Sequence, residues 1–216
     1  VAAAVVNAAF PVAVAVAIGI PIVRSRNWRN YFFVALMLLL GVAVLAFHLA
    51  HLGRLDWPAR ASLQVGLDVV LFVLAVMGGR VIPMFTSNGI PGVQATRHPV
   101  VEKLALGSVL ALLAADILQL PSAVGGMLAL AAAAAHAARL RLWQPWRTLG
   151  TPIVWVLHLA YLWIVVHLAL RGLAALGVGS DLFAVHALTI GAIGGMTIGM
   201  MTRTAPSAVS ERQTSS

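Results

Sequence analysis

The chain has 216 residues, 61% of them hydrophobic and only 9% charged, with a formal net charge of +8 and no cysteine. Its apolar residues fall into seven runs of roughly twenty, the length that crosses a bilayer of about 30 Å, and each is too uniformly apolar to be the amphipathic face of a soluble helix. The missing cysteines exclude disulfides, thiolate metal sites, iron–sulfur clusters and haem attached through Cys-x-x-Cys-His, so any metal must use His, Met, carboxylate or Tyr.

These runs predict an all-α, polytopic transmembrane bundle of about seven helices in one domain (1–204), covering about 2–23, 31–53, 62–79, 101–119, 123–140, 151–170 and 182–201. A membrane β-barrel would instead show short alternating segments. If all seven cross, Arg24, Arg26, Arg29, Arg80, Arg97, Lys103, Arg139, Arg141, Arg147, Arg203 and Arg212 share one side, and only Arg54, Arg60 and Arg171 lie on the other. The positive-inside rule then puts the amino terminus outside and the carboxy terminus in the cytoplasm. The positive charge thus describes a membrane surface; with no long or aromatic-interleaved basic block, nucleic acid is not an expected partner.

The first run starts at Val1 with no initiator Met and no basic flank, which predicts a fragment or processed chain and argues against a signal peptide. In the second, His48 and His51 lie three apart near the outer end, on one face. Asp68 lies about 9 Å below the outer surface in the third, counting 1.5 Å per residue. The segment from Gly78 to Gly92 is too apolar for a plain loop and too rich in Gly and Pro for an unbroken helix, so Pro83 and Gly89 predict a break at the cytoplasmic interface. Arg80 there would pair with lipid phosphate or hold a cofactor carboxylate such as a haem propionate.

Asp116 falls near the end of the fourth helix. In the fifth, Ala131 to Ala135 allows close packing, and His136 near the inner end is expected to be solvated, as is His98 in a loop. The sixth puts His158 and Tyr161 on one face, with His167 on the opposite one. The seventh begins with His186 and carries Gly191, Gly195 and Gly199, a spacing suited to helix packing. Met196 and Met200, four apart, pack in the core or offer thioethers to Cu(I). Residues 205–216 are expected to form a disordered cytoplasmic tail.

His48, His51, Asp68, Asp116, His167 and His186 are thus expected in the outer third of the bilayer, where ionisable groups are expensive and mark sites. Imidazoles with carboxylate partners suit metal or haem-iron ligation; the same residues also suit a proton or ion path. There is no P-loop, His-Glu-x-x-His or nucleophile elbow, and whether the chain is an enzyme is left open.

Three separated stretches carry a resemblance: Gly79-Arg-Val-Ile-Pro-Met-Phe-Thr-Ser-Asn88, Trp155-x-x-His158-x-x-Tyr161, and His186 through Met196 followed by Met200 and Arg203. Together they resemble the NnrS family of bacterial membrane proteins. The resemblance implies a multi-pass inner-membrane protein that binds haem and copper and acts in the response to nitric oxide and in denitrification. It implies His158, His167 and His186 as haem-iron or copper ligands, with Tyr161 and Arg80 at the cofactor. His48 and His51 are expected as further metal ligands, and Asp68 and Asp116 as groups that support ligands or handle protons.

Two departures accompany it. Family members are usually about twice this length, with roughly twelve helices, so an amino-terminal half or a partner subunit is an expected partner beside the bilayer and nitric oxide. They also tend to continue beyond the final Arg with a Leu-Gly-His-Thr-Gly-like stretch, where this chain reads Thr204-Ala-Pro-Ser-Ala208. The alternatives are a proton-coupled transporter or permease portion and a non-catalytic assembly subunit.

Overall fold

The computed structural model describes residues 2–202; the expected tail, 205–216, lies outside the described residues. Within them the chain is helical throughout, with no strand. The helices are α1 (Ala2–Arg24), α2 (Tyr31–His51), α3 (Ala59–Gly89), α4 (Pro99–Ile117), α5 (Ser122–Leu142), α6 (Pro152–Ala175) and α7 (Asp181–Thr202). Six are long and apolar enough to cross a membrane. The exception, α4, contains Glu102, Lys103 and Asp116 within 19 residues.

The described backbone falls into two compact units, one of residues 2–73 and 112–120, the other of 74–111 and 121–202. In the first, α1 packs along α2. Gly41 makes room for α1: a Cβ there would stand 3.1 Å from Val12. Phe32 meets Phe72 edge to face at 6.1 Å, an arrangement aromatic rings prefer.

In the second unit α6 is the central helix, packed on α5 and α7. The Gly191, Gly195 and Gly199 face of α7 lies on α6, as the spacing predicts. A Cβ at Gly191 would enter the Trp163 ring, one at Gly195 would stand 3.0 Å from Ala160, and one at Gly199 would stand 2.8 Å from Leu157. Helices α4 and α5 run antiparallel: Glu102 pairs with Arg139 and Ala105 with His136, so one number falls as the other rises. The loops at one end of this pair meet, with Thr96 N–H and hydroxyl both donating to Leu142 O and the Gln144 amide donating to Gln94 O.

Two expectations need correction. Helix α3 does not break at Pro83 but continues to Gly89 with Pro83 inside it. In a membrane helix, neighbouring helices and Ser/Thr side chains re-satisfy the groups proline frees. The carbonyl that Pro83 leaves without its helical N–H is that of Gly79; beside it, Arg97 donates to Arg80 O and the Thr86 hydroxyl to Ile82 O, bonds that tie the segment without replacing the lost one. The other concerns His136, which is fully buried and not solvated. Within α7, residues Ala187–Gly194 wind as a π-helix, a rare form that often marks functional positions.

Candidate functional site

Polar side chains gather at the centre of the second unit. Arg139, 1% exposed, holds Glu102 of α4 through a bidentate ion pair, with Nε donating to Oε1 at 2.9 Å and Nη2 to Oε2. Its Nη1 donates to Ala75 O of α3 at 2.7 Å and to the Tyr161 hydroxyl of α6 at 3.0 Å. A Cβ at Gly79 would overlap the guanidinium, so the bare backbone there admits Arg139. Burying either charge alone is expensive, whereas a bidentate Arg–carboxylate pair, here with both Nη1 N–H groups also bonded, offsets that cost.

The chemistry of each partner fixes the proton positions. Ala105 O only accepts, so His136 Nε2, 3.0 Å away, donates to it. A neutral His136 therefore keeps its lone pair on Nδ1, which accepts from the Tyr161 hydroxyl at 2.6 Å. Tyr161 O in turn accepts from Arg139. Trp143, fully buried, meets the Tyr161 ring edge-on at 4.6 Å and lies beneath the guanidinium at 5.3 Å, a cation–π distance. Donation thus runs outward from Arg139, to Glu102 of α4, to Ala75 O of α3 and through Tyr161 of α6 to His136, so that four helices share one network.

Tyr161 is the one expected cofactor residue in this network; Arg139, Glu102 and His136 were not expected there. The sequence did hold a signal: His136 and Arg139 stand three apart on α5, matching Glu102 and Ala105 on α4, a spacing that puts each pair on one helix face.

The remaining expected residues are dispersed. His158, 3% exposed, is engaged at both ring nitrogens, with Nδ1 3.2 Å from Val154 O and Nε2 3.3 Å from the Thr86 hydroxyl. His167, 1% exposed, donates from Nδ1 to Ala184 O at 2.7 Å. That bond fixes the tautomer and puts the lone pair on Nε2, a buried atom with no hydrogen-bond partner. His186 follows the same pattern, with Nδ1 donating to Leu182 O at 2.8 Å. It lines an 820 Å³ groove with Trp163, Phe183, Ile190, Gly191 and Gly194.

In the first unit, His48 Nε2 accepts from the Asn7 amide at 3.0 Å, while His51 stacks on Phe47 at 6.4 Å. Asp68 is fully buried and accepts from Gln64 at 3.3 Å; Asp116 is half-buried. Arg80 and His98 are exposed. Among the described residues no three His, Asp or Glu side chains stand together as a metal-holding group. Met196 and Met200 line a separate cavity of about 330 Å³, together with Met77 and Met201.

Imidazoles that ligate metals almost always donate their other ring N–H to a carbonyl, carboxylate or water. His167 and His186 meet that condition and leave Nε2 available, whereas His136 is engaged at both nitrogens. The groove beside His186 falls within the roughly 300–1,000 Å³ of small-molecule sites and is apolar with bare glycine backbone, which fits a flat macrocycle. The residues therefore fit a haem better at His186 than at His158. No curated protein and no solved structure matches this chain. A family model described as NnrS protein matches residues 1–207, nearly the whole sequence, and the chain belongs to the NnrS family.

Proposed function

We propose that this chain is a haem- and copper-binding multi-pass protein of the bacterial inner membrane, acting in the response to nitric oxide, with its amino terminus outside and its carboxy terminus in the cytoplasm. The observation that supports it most is the His186 imidazole, held by Leu182 O through Nδ1 at the edge of an apolar 820 Å³ groove. His186 Nε2 is the proposed iron ligand. Gly194 offers backbone for close approach to a ring, while the bare side of Gly191 is filled by Trp163; Trp163 and Phe183 add aromatic walls to the groove. His167 is the second proposed ligand, on the strength of its unpartnered Nε2. A bound haem iron would supply a coordination position for nitric oxide.

Arg139, Glu102, Tyr161 and His136 serve this site by holding α3, α4, α5 and α6 in fixed register. Arg80, exposed on α3, does not line the groove beside His186; a propionate held by it would belong to a second site, and lipid phosphate is its other proposed partner. His48 and His51, with Asp68 and Asp116 as supporting carboxylates, are one candidate set of copper ligands.

The test is the absorption spectrum and metal content of detergent-purified protein, wild type beside His186→Ala, His167→Ala and His158→Ala. The reading expects a Soret band that is lost in His186→Ala and retained in His158→Ala. A folded wild type with neither haem nor copper would sink it and bring proton-coupled transport forward.

A further inference from the structure

Four of the seven methionines, Met77, Met196, Met200 and Met201, line a single cavity of about 330 Å³. Met77 comes from α3 and the other three from α7, so thioethers stand on two walls. Met196, 8% exposed, sits deep, whereas Met77 and Met201, 43% and 66% exposed, stand at the rim. The wall beside Met196 is glycine backbone: a Cβ at Gly78 would stand 3.4 Å from the Met196 methyl and 2.9 Å from the Tyr161 ring.

Methionine in a membrane helix is ordinarily packing material, because its flexible thioether fills irregular gaps. Packing alone does not account for this arrangement: here the thioethers surround an open volume instead of filling it. The rest of the lining is Leu74, Gly78, Val81, Ile82, Leu157 and Thr197, with no carboxylate and no imidazole. Hard divalent ions such as Mg²⁺ and Ca²⁺ need several oxygen ligands and would find none of the required charge. Soft thioethers select a soft, low-charge ion.

We propose that this cavity binds a soft monovalent d10 cation, Cu(I) or its analogue Ag(I), through the sulfurs of Met196, Met200 and Met77, with Met201 at the entrance. The proposal shares its copper with the function proposed above but assigns it to thioethers instead of His48 and His51. The low charge of the ion suits a site with no acidic group, and neutral sulfur ligands hold Cu(I) without a proton to displace. Each rim methionine gives an incoming ion a ligand before it reaches Met196.

The experiment loads the purified full chain anaerobically with Cu(I), and separately with Ag(I), against a competing chelator. It compares wild type with Met77→Leu/Met196→Leu/Met200→Leu and with His48→Ala/His51→Ala. Leu conserves volume closely enough that a packing role survives the exchange, and helical circular dichroism with gel filtration verifies folding. The expected result is loss of Cu(I) and Ag(I) retention in the methionine variant alone, with sulfur scatterers in the copper X-ray absorption of wild type. Ag(I), which does not cycle with peroxide as Cu(I) does, should also shield Met196 and Met200 from peroxide oxidation in intact wild type, read by mass spectrometry. Copper held equally by the methionine variant and lost from the histidine variant would overturn the proposal while leaving copper binding intact. A wild type that retains neither cation would overturn both, and the Soret band reports separately on haem.

Discussion

The Tyr161 hydroxyl lies 2.6 Å from Nδ1 of His136, and the far side of the same imidazole is held by Ala105 O at 3.0 Å. A backbone carbonyl cannot donate, so the second bond dictates the direction of the first: neutral His136 is the acceptor and Tyr161 the donor. Tyr161 cannot then also donate elsewhere, and its oxygen is left to accept from Arg139. One backbone oxygen on α4 thereby sets the direction of the Tyr161–His136 bond, while Arg139, which can only donate, fixes the bonds to Tyr161 and Glu102.

Removing the hydroxyl tests that direction. Tyr161→Phe leaves His136 Nδ1 buried without a donor, and a buried polar atom so stranded costs about 1–3 kcal/mol. His136→Leu removes the stranded atom, so adding Tyr161→Phe to it should cost about 1 kcal/mol less than in wild type. The measurement is a double-mutant cycle from unfolding in mixed detergent micelles. Strict additivity of the two substitutions would show that the bond contributes nothing.

The ion pair is asymmetric in what its loss leaves behind. Arg139 is 2% exposed at its side chain and Glu102 24% exposed. Glu102→Gln therefore strands a buried guanidinium, and breaking a buried pair from one side costs about 3–5 kcal/mol. Arg139→Met leaves a carboxylate that is already partly open to solvent and should cost less. The double variant Arg139→Met/Glu102→Gln should be more stable than Glu102→Gln alone, measured by thermal melting in detergent. A double variant less stable than Glu102→Gln would contradict the idea that the stranded charge dominates.

The glycines divide by what surrounds them. At Gly79 a methyl group would overlap the Arg139 guanidinium, and at Gly191 it would enter the Trp163 ring. Nothing stands within 4 Å of the corresponding position at Gly107 or Gly125. Gly79→Ala and Gly191→Ala should each destabilise by about 1–3 kcal/mol, the usual range for overpacking. Gly107→Ala and Gly125→Ala should be neutral or slightly stabilising, since alanine is the better helix former. Trp163→Leu should restore part of the loss in Gly191→Ala and none of that in Gly79→Ala, by the same melting measurement.

The helices were legible because spanning a bilayer demands length and apolarity together, and both are visible in one sequence. The glycine face of α7 was legible for a related reason, since small residues four apart serve close helix approach. Pro83 misled because proline usually ends helices in water, whereas helices within a membrane tolerate it and α3 runs through to Gly89. His136 misled because nearness to a helix end was equated with exposure, although α4 covers it through Ala105. Arg139 was counted as a charge that sets orientation, which hid its pairing with Glu102. The meeting of Met77 with Met196 depends on pairing across helices, which a single sequence does not encode. The π-helical stretch at Ala187–Gly194 has no local signal beyond its glycines.

Glu102, Lys103 and Asp116 make α4 the most densely charged of the seven helices. At 19 residues it reaches about 28 Å, close to the roughly 30 Å hydrocarbon core. It runs antiparallel to α5, and Gln94 ahead of it is hydrogen-bonded to Gln144 beyond the end of α5 at 3.1 Å. The loop before α4 and the loop after α5 therefore lie at one end, while residues 118–121 join the two helices at the other. If α5 crosses the membrane, α4 crosses it too, with Glu102 accommodated by its pairing to Arg139. The chain has no cysteine, so Gln94→Cys, Gln119→Cys and Gln144→Cys are single reporters against a silent background. In intact spheroplasts an impermeant maleimide should label Gln119→Cys, and label Gln94→Cys and Gln144→Cys only after lysis. Labelling of Gln94→Cys and Gln119→Cys from the same side, with Gln144→Cys from the other, would mean that α4 does not cross. The same data read the absolute orientation, which the distribution of Lys and Arg predicts as carboxy terminus inside.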